Sequence, residues 1–172
     1  MISPANFLLL LLAFCCASCG YHVAGQATLL PKDVHTIAVP AWGNVTTQYK
    51  LPVYMAEAVV RELNSRTRYT IVADPSKADA TLYGNIANMF TNATIADPTT
   101  GRGTGGQIIV LIQVRLVGKD GKVLFTRPNL EFRDRYEISL SPSQYLDESQ
   151  ATLQRLSRDV ARTVVSAVLE NF

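Results

Sequence analysis

Cysteine is scarce in this sequence and is confined to its beginning. The chain has 3 cysteines among 172 residues, and these are Cys15, Cys16 and Cys19. A disulfide between such close neighbours would tie nothing to the body of the protein, and a zinc site needs about four ligands, usually from separated pairs. The sequence therefore predicts neither a disulfide framework nor a metal centre.

The residue groupings that an enzyme needs are also lacking. Catalysis requires a nucleophile beside a base, a pair of carboxylates or a set of metal ligands. The chain has 2 histidines; His22 lies next to the cysteines and His35 begins a predicted strand, and neither belongs to a recognisable triad. We therefore expect no catalytic residues and a protein that is not an enzyme.

An excess of charge of one sign is missing as well. The formal net charge is +2, whereas proteins that bind nucleic acid usually carry a concentrated basic face. Composition therefore predicts no nucleic-acid partner, and any recognition of an anion must be local.

The longest apolar run is too short to cross a membrane. Residues Phe7 to Phe14 read FLLLLLAF, which is the length of a signal-peptide core and well short of the ~20 residues of a membrane span. Ala17 and Ser18 precede Cys19, and this arrangement resembles the bacterial lipobox. The resemblance implies that residues 1–18 are a signal peptide and that Cys19 carries covalent lipid. The alternative is an ordinary secretory signal that leaves Cys19 as a free thiol, which is uncommon in an oxidising compartment.

The lipid anchor sets where we expect the protein to work. Two or three acyl chains hold a protein lastingly, because each buried methylene contributes about 0.8 kcal/mol. Gly20, and not Asp, follows Cys19, which by resemblance to enterobacterial sorting implies the periplasmic face of the outer membrane. We expect residues 19–33 to form a lipidated tether and residues 34–172 to form a single domain, with no cofactor besides the lipid.

The first half of the domain predicts a strand, a helix and a second strand. His35 to Pro40 and Arg68 to Val72 are short runs rich in β-branched and apolar residues. Between them, Leu51 to Ser65 has helical spacing, with Pro52 near the first turn, where its missing N–H costs little. This order permits a parallel crossover. The apolar stripe of the predicted helix consists of Val53, Ala56, Val60 and Leu63.

The second half predicts long antiparallel strands. Ala78 to Asn92 reads as one strand with Leu82 and Ile86 on one face, and Gln107 to Val117 as the next. Gly118 to Gly121 is a hairpin turn signal, followed by a partner strand that we expect to be broken near Pro128. One face of the Gln107 to Val117 strand is wholly apolar, through Ile108, Val110, Ile112, Val114 and Leu116.

The fold class follows from the apolar face of the sheet. Ser143 to Phe172 predicts a second amphipathic helix, whose apolar stripe includes Leu153, Leu156, Val160, Val164, Ala167 and Val168. Two amphipathic helices and a sheet with one apolar face bury their apolar surfaces when both helices pack on that face. We therefore expect an α+β two-layer sandwich, a mixed β-sheet with two amphipathic helices on one face.

Glycines and arginines mark two further candidate sites. Gly101, Gly103 and Gly106 spell G-x-G-x-x-G, but they precede a predicted strand and not the helix that a dinucleotide site requires. We interpret this run as a hairpin loop, in which Arg102 could bind phosphate or a partner. A cationic patch on the last strand is a second hypothesis, and a solvated surface of mixed sign is its alternative. The residues concerned are Arg127, Arg133 and Arg135, interspersed with Glu131 and Asp134.

Several stretches taken together resemble one family. Cys19, Gly20, Tyr21 and His22 form the lipidated start and a membrane-proximal motif, and IAVP is followed by an aromatic residue and Asn44. KADATLYGNI precedes the central hairpin, and an alanine-rich helix closes the chain. In this order the stretches resemble the lipopolysaccharide-assembly lipoprotein family LptE, over about residues 19–172.

The resemblance implies a function without covalent chemistry. It implies an outer-membrane lipoprotein that plugs the β-barrel LptD, assists the assembly of that barrel and helps to deliver lipopolysaccharide to the outer leaflet. Arg102 is the nearest match to a basic lipopolysaccharide contact of the family, whereas the stretch after the last strand has no basic residue to match a second. The alternative is a lipoprotein activator or adaptor of a peptidoglycan synthase, since similar openings occur in such proteins.

Overall fold

Six strands, two α-helices and a short 3₁₀ helix (Pro75–Lys77) make up the regular structure of the described residues. The computed structural model describes residues 30–31, 33–96, 99, 103–137 and 142–170. The elements in chain order are β1 (Thr36–Ala38), β2 (Gly43–Asn44), α1 (Leu51–Arg66), β3 (Thr70–Val72), β4 (Ala80–Ala96), β5 (Gly103–Gly118), β6 (Val123–Glu137) and α2 (Pro142–Glu170).

All the strands belong to one mixed sheet. Their order is β3-β1-β4-β5-β6, and β2 lies beside β4. β1 runs parallel to both neighbours, with Thr36 opposite Thr70 and Ile37 opposite Ala80. The predicted parallel pairing of the strands that flank the first helix is therefore confirmed. β2, which the sequence did not predict, places Asn44 opposite Ile86.

The strands β4, β5 and β6 form a long antiparallel unit. The predicted turn joins β5 to β6: the Gly118 N–H donates to the Lys122 carbonyl at 2.8 Å, and Gly121 has a φ of 82°. At Pro128 the strand does not end. Instead, Pro128 and Asn129 both lie opposite Gln113, because a bulge accommodates a residue that cannot donate a ladder hydrogen bond.

One face of the sheet is dry, as predicted, and both helices cover it. The alternating apolar residues of β5 are at most 3% exposed and form one core cluster with residues from both helices. The fold is therefore the predicted α+β two-layer sandwich. The predicted stripe of α2 is also confirmed, with Leu156, Val160, Val164 and Val168 buried and Ala167 partly buried.

The predicted stripe of α1 is largely wrong. Val53 is 54% exposed, and Ala56 and Val60 are only partly buried. The buried face consists instead of Leu51, Met55, Ala58, Val59 and Leu63. Met55 and Val59 each stand one position before a predicted residue, Ala56 and Val60 respectively. Two overlapping sets of apolar residues satisfy helical spacing in this segment, and the position of the sheet decides which set is buried.

The glycine-rich run lies largely within the hairpin and not in a loop. β4 extends to Ala96, which is in register with Gly103 at the start of β5. Gly106 lies against Tyr136 of β6, because a Cβ at this position would be 2.7 Å from the Tyr136 Oη. The predicted strand, and not the helix that a dinucleotide site requires, follows the glycines.

Candidate functional site

The long strands separate two ends of the domain. At one end the chain enters the fold: Leu30 and Val34 are buried in the core, and the Lys119 N–H donates to the Asp79 carbonyl at 2.8 Å. We call this the tether end. At the other end, β4 and β5 are joined by the segment that contains Arg102. The 17 residues of β4 extend roughly 55 Å at 3.3 Å per residue.

Asp79 fixes the tether end. Its carboxylate accepts hydrogen bonds from the His35 N–H at 2.9 Å, the Thr36 N–H at 2.8 Å and the Thr36 hydroxyl at 2.8 Å. These donors, the His35 N–H foremost, lower the pKa of Asp79 to about 2, because they stabilise the charged form. Asp79 therefore fixes Thr36, the first residue of β1, at the point where the predicted tether joins the domain.

The predicted site residues lie outside the described residues. These are the lipidation site Cys19, the membrane-proximal residues Gly20, Tyr21 and His22, and the candidate lipopolysaccharide contact Arg102. The structure does describe the residue after Arg102, since Gly103 is the first residue of β5 and pairs with Ala96. Lipidation and the role of Arg102 remain predictions.

The aromatic residue and the asparagine after β1 shape the path into α1. Trp42 is 5% exposed, and its indole occupies the space over Gly84 on the dry face. The Asn44 Oδ1 accepts from the Thr46 N–H at 2.9 Å and its Nδ2 donates to the Gln48 carbonyl at 3.2 Å. These two residues therefore have structural roles in the stretch that carries the family resemblance.

The arginines of the last strand do not form one cationic patch. Arg127 lies over the Phe125 ring at 5.2 Å, on the helix side of the sheet. Arg133 lies on the opposite face and is ion-paired with Glu131. Asp134 pairs across to α2, with 3.4 Å between its Oδ2 and the Arg155 Nε. The structure favours the interpretation of a solvated surface of mixed sign.

A shallow depression on the helix-free face was missed at the sequence level. We call this face the open face. The depression has a volume of about 520 Å³ and is lined in part by Tyr83, Asn85, Gln113, Arg115, Thr126 and Pro128. The guanidinium of Arg115 lies 5.1 Å from the centre of the Tyr83 ring, and the Asn85 Nδ2 donates to the Gln113 Oε1 at 3.3 Å. The sequence signal that could have found this depression was alternation, since its lining residues occupy outward-facing positions of three predicted strands.

Neither a membrane-spanning helix nor a metal site is found in the described ranges. None of the helices there combines the length and apolarity that a membrane crossing needs. Histidine, cysteine, aspartate and glutamate residues in those ranges do not gather in groups of three or more that could hold a metal ion.

The fold is shared with several bacterial proteins of known structure, two of them lipoproteins. Lipoprotein B of Nitrosomonas europaea is 14% identical, with a TM-score of 0.56 over 88% of this chain and 96% of that one. Rare lipoprotein B of Shewanella oneidensis is 13% identical, with a TM-score of 0.54 over 79% and 96%. PelC of Paraburkholderia phytofirmans, described as a dodecamer, is 13% identical, with a TM-score of 0.52 over 79% and 89%. At these identities the likeness concerns the fold alone.

The family assignment rests on the sequence. Comparison with curated proteins gave no match. The model of the family described as "LptE: Lipopolysaccharide-assembly" matches residues 34–168, which span β1 to nearly the end of α2. The resemblance drawn from the sequence is thus confirmed, and the chain belongs to the LptE family of lipopolysaccharide-assembly lipoproteins.

Proposed function

We propose that this protein is anchored by lipid on Cys19 to the periplasmic face of the outer membrane, where it plugs the LptD barrel and assists its assembly. In this role it helps lipopolysaccharide to reach the outer leaflet and catalyses no reaction. Membership of the LptE family supports the proposal. The structural observation that supports it most is the long β4–β5 hairpin, which extends away from the tether end.

The hairpin is long enough to extend through a barrel lumen. β4 measures roughly 55 Å, and α2, with 29 residues, adds a rod of roughly 44 Å beside it. A bilayer is about 40–45 Å thick with its headgroups. A domain anchored at its tether end can therefore present the Arg102 segment near the far side of the membrane if a barrel surrounds it.

The tether keeps the domain close to the barrel mouth. Ten residues lie between Cys19 and Leu30, and this stretch spans at most about 40 Å when fully extended. A domain confined to this distance from the membrane has a high effective concentration for a membrane-embedded partner. The anchor thus favours association with a barrel without requiring strong individual contacts.

The open face offers chemistry that suits the inside of a barrel. Its tether half is polar, as are the lumens of large barrels. Farther along the hairpin, Phe90 lies opposite Ile109 and is 46% exposed, while Ile109 and Leu111 are partly buried. We call these three residues the apolar patch. Aromatic anchors surrounded by polar residues are typical of protein interfaces, so we assign the barrel contact to this patch.

Arg102 is assigned a direct contact with lipopolysaccharide. A forked guanidinium forms charge-assisted, bidentate hydrogen bonds to phosphate. At the distal end of the hairpin, such a cation would replace part of the phosphate and divalent-ion contacts between lipopolysaccharide molecules. The contribution of Arg102 is electrostatic and should weaken as salt concentration rises.

Affinity purification of the native lipoprotein in mild detergent tests the proposed partnership. We expect it to recover a heat-modifiable outer-membrane barrel at a fixed ratio to the lipoprotein. Recovery of an inner-membrane peptidoglycan synthase in place of the barrel would support the alternative role as an activator or adaptor. Recovery of neither partner from intact envelopes would contradict both functions.

A further inference from the structure

The open-face depression contains a cation, Arg115, that has no carboxylate partner among the described residues. The six ion pairs of the described residues do not include Arg115, whereas Arg133 on the same face is paired with Glu131. Arg115 is exposed, and its guanidinium is placed by the ring of Tyr83, 5.1 Å away. A cation that is held by an aromatic ring keeps its donors available for an anion.

Amide groups beside Arg115 complement hydroxyl groups. Asn85 and Gln113 share one hydrogen bond of 3.3 Å. A carboxamide provides two N–H donors and one acceptor oxygen, so most of the capacity of this pair remains for a ligand. Thr126 adds a hydroxyl to the lining. Adjacent donors and acceptors at fixed spacing match the neighbouring hydroxyls of a sugar ring.

A glycine and two apolar residues surround the polar groups of the depression. Gly43 contributes to the lining, and a Cβ there would meet the Asn85 Oδ1 at 2.5 Å. The glycine therefore permits the Asn85 amide to lie over the backbone of β2. Tyr83 and Pro128 supply apolar walls on either side of the polar groups. Pockets of this kind, with apolar walls and a few placed polar groups, are typical of small-ligand sites.

We propose that the open-face depression binds an anionic saccharide, with Arg115 contacting its carboxylate or phosphate and Asn85 and Gln113 its hydroxyls. This inference rests on the proposed function and deepens it, because the saccharide part of lipopolysaccharide is such a ligand. Arg115 is three residues from the end of β5 at the turn, so the depression lies near the tether end. Lipopolysaccharide arriving from the periplasm would meet this site before the distal segment that holds Arg102.

Calorimetric titration of the purified full-length lipoprotein with deacylated lipopolysaccharide tests the site. This probe keeps the sugars and their anionic groups but lacks the acyl chains. We expect saturable binding that Arg115→Gln weakens about tenfold or more, the usual effect of losing a charge-assisted hydrogen bond. Arg133→Gln, on the same face but outside the depression, is the matched control and should stay within about twofold.

Two further arms separate the sources of the saccharide and the possible partners. A disaccharide-peptide fragment of peptidoglycan should bind more weakly than deacylated lipopolysaccharide, and the reverse order would overturn the assignment to lipopolysaccharide. Absence of saturable binding, or equal losses in the Arg115→Gln and Arg133→Gln variants, would overturn the site itself. If Arg115→Gln lost the barrel and not the saccharide, the depression would be a protein contact. Recovery of the barrel by the unmodified protein is measured separately. If the barrel is recovered but the saccharide is not bound, the site is wrong and the proposed function stands.

Discussion

The indole of Trp42 lies where a side chain on Gly84 would have to stand. A Cβ built on Gly84 falls inside van der Waals contact with three ring atoms of Trp42, and the ring is buried in the core. Trp42 follows β1 and Gly84 belongs to β4, so this contact holds the segment between β1 and α1 against the sheet. The glycine is required by packing, because the ring leaves no space for a methyl group.

Substitution of Gly84 should therefore destabilise the fold. We expect Gly84→Ala to lower the free energy of unfolding by about 1–3 kcal/mol, the usual cost of overpacking, as measured by urea denaturation. In a Trp42→Leu background the same substitution should cost less, because the smaller side chain makes room. An equal cost in both backgrounds would show that the contact with Trp42 is not the cause.

Asp79 should make stability depend on pH at the acidic end. Its pKa is about 2 in the folded protein and about 3.9 in an unfolded chain. A lowered pKa in the folded state means that the contribution of Asp79 is complete above about pH 4 and is lost as pH falls toward about 2. Urea midpoints measured from pH 5 to pH 2 should fall less steeply for Asp79→Asn than for the unmodified protein. An unchanged slope for Asp79→Asn would show that this carboxylate is not the cause of the pH dependence.

Phe90 should contribute to the barrel contact. We expect Phe90→Ser to reduce recovery of the barrel about tenfold, as for the loss of an aromatic anchor at an interface, while the unfolding midpoint changes little because the ring is 46% exposed. Val123→Ser is the matched control, since Val123 is 55% exposed and lies at the tether end of β6. If both variants recover the barrel normally, the apolar patch is not its contact surface.

Arg102 should bind lipopolysaccharide and not the barrel. Arg102→Ala is expected to weaken lipopolysaccharide binding several-fold at low salt, with a smaller difference at high salt because the contact is electrostatic. Barrel recovery should be unchanged. Arg158→Ala on the exposed side of α2 should leave both measurements unaffected. A titration in which the folded Arg102→Ala variant matches the unmodified protein would remove Arg102 from the proposal.

Cys19 should determine attachment to the membrane. In cells that lack the barrel, the lipid is what holds the protein at the membrane. We therefore expect Cys19→Ala, which removes the lipid, to move the protein from the membrane fraction to the soluble periplasmic fraction in those cells. Mass spectrometry of the native protein should find an acylated N-terminal cysteine. An unacylated N-terminus would favour the ordinary secretory signal with a free thiol.

Much of the fold could be predicted because its signals are local. The alternation in β5 has a period of two, and side chains of a strand must point alternately to opposite faces, so the dry face followed from Ile108 to Leu116 alone. The turn at Gly118 to Gly121 was predictable for the same reason, since a positive φ favours glycine. The lipobox-like start is likewise a linear pattern that needs no tertiary context.

The buried face of α1 and the candidate sites on the open face were decided by tertiary structure. Val53 and Met55 both fit an apolar helical stripe, and contact with the sheet, not spacing, buried Met55 and left Val53 exposed. The open-face depression joins side chains from β4, β5 and β6, which come together only when the strands pair in register. The sequence by itself determined which residues are able to be buried or to bind. Which of these residues are buried or brought together was decided by the packing of distant segments, because burial and proximity depend on two elements and not on a single one.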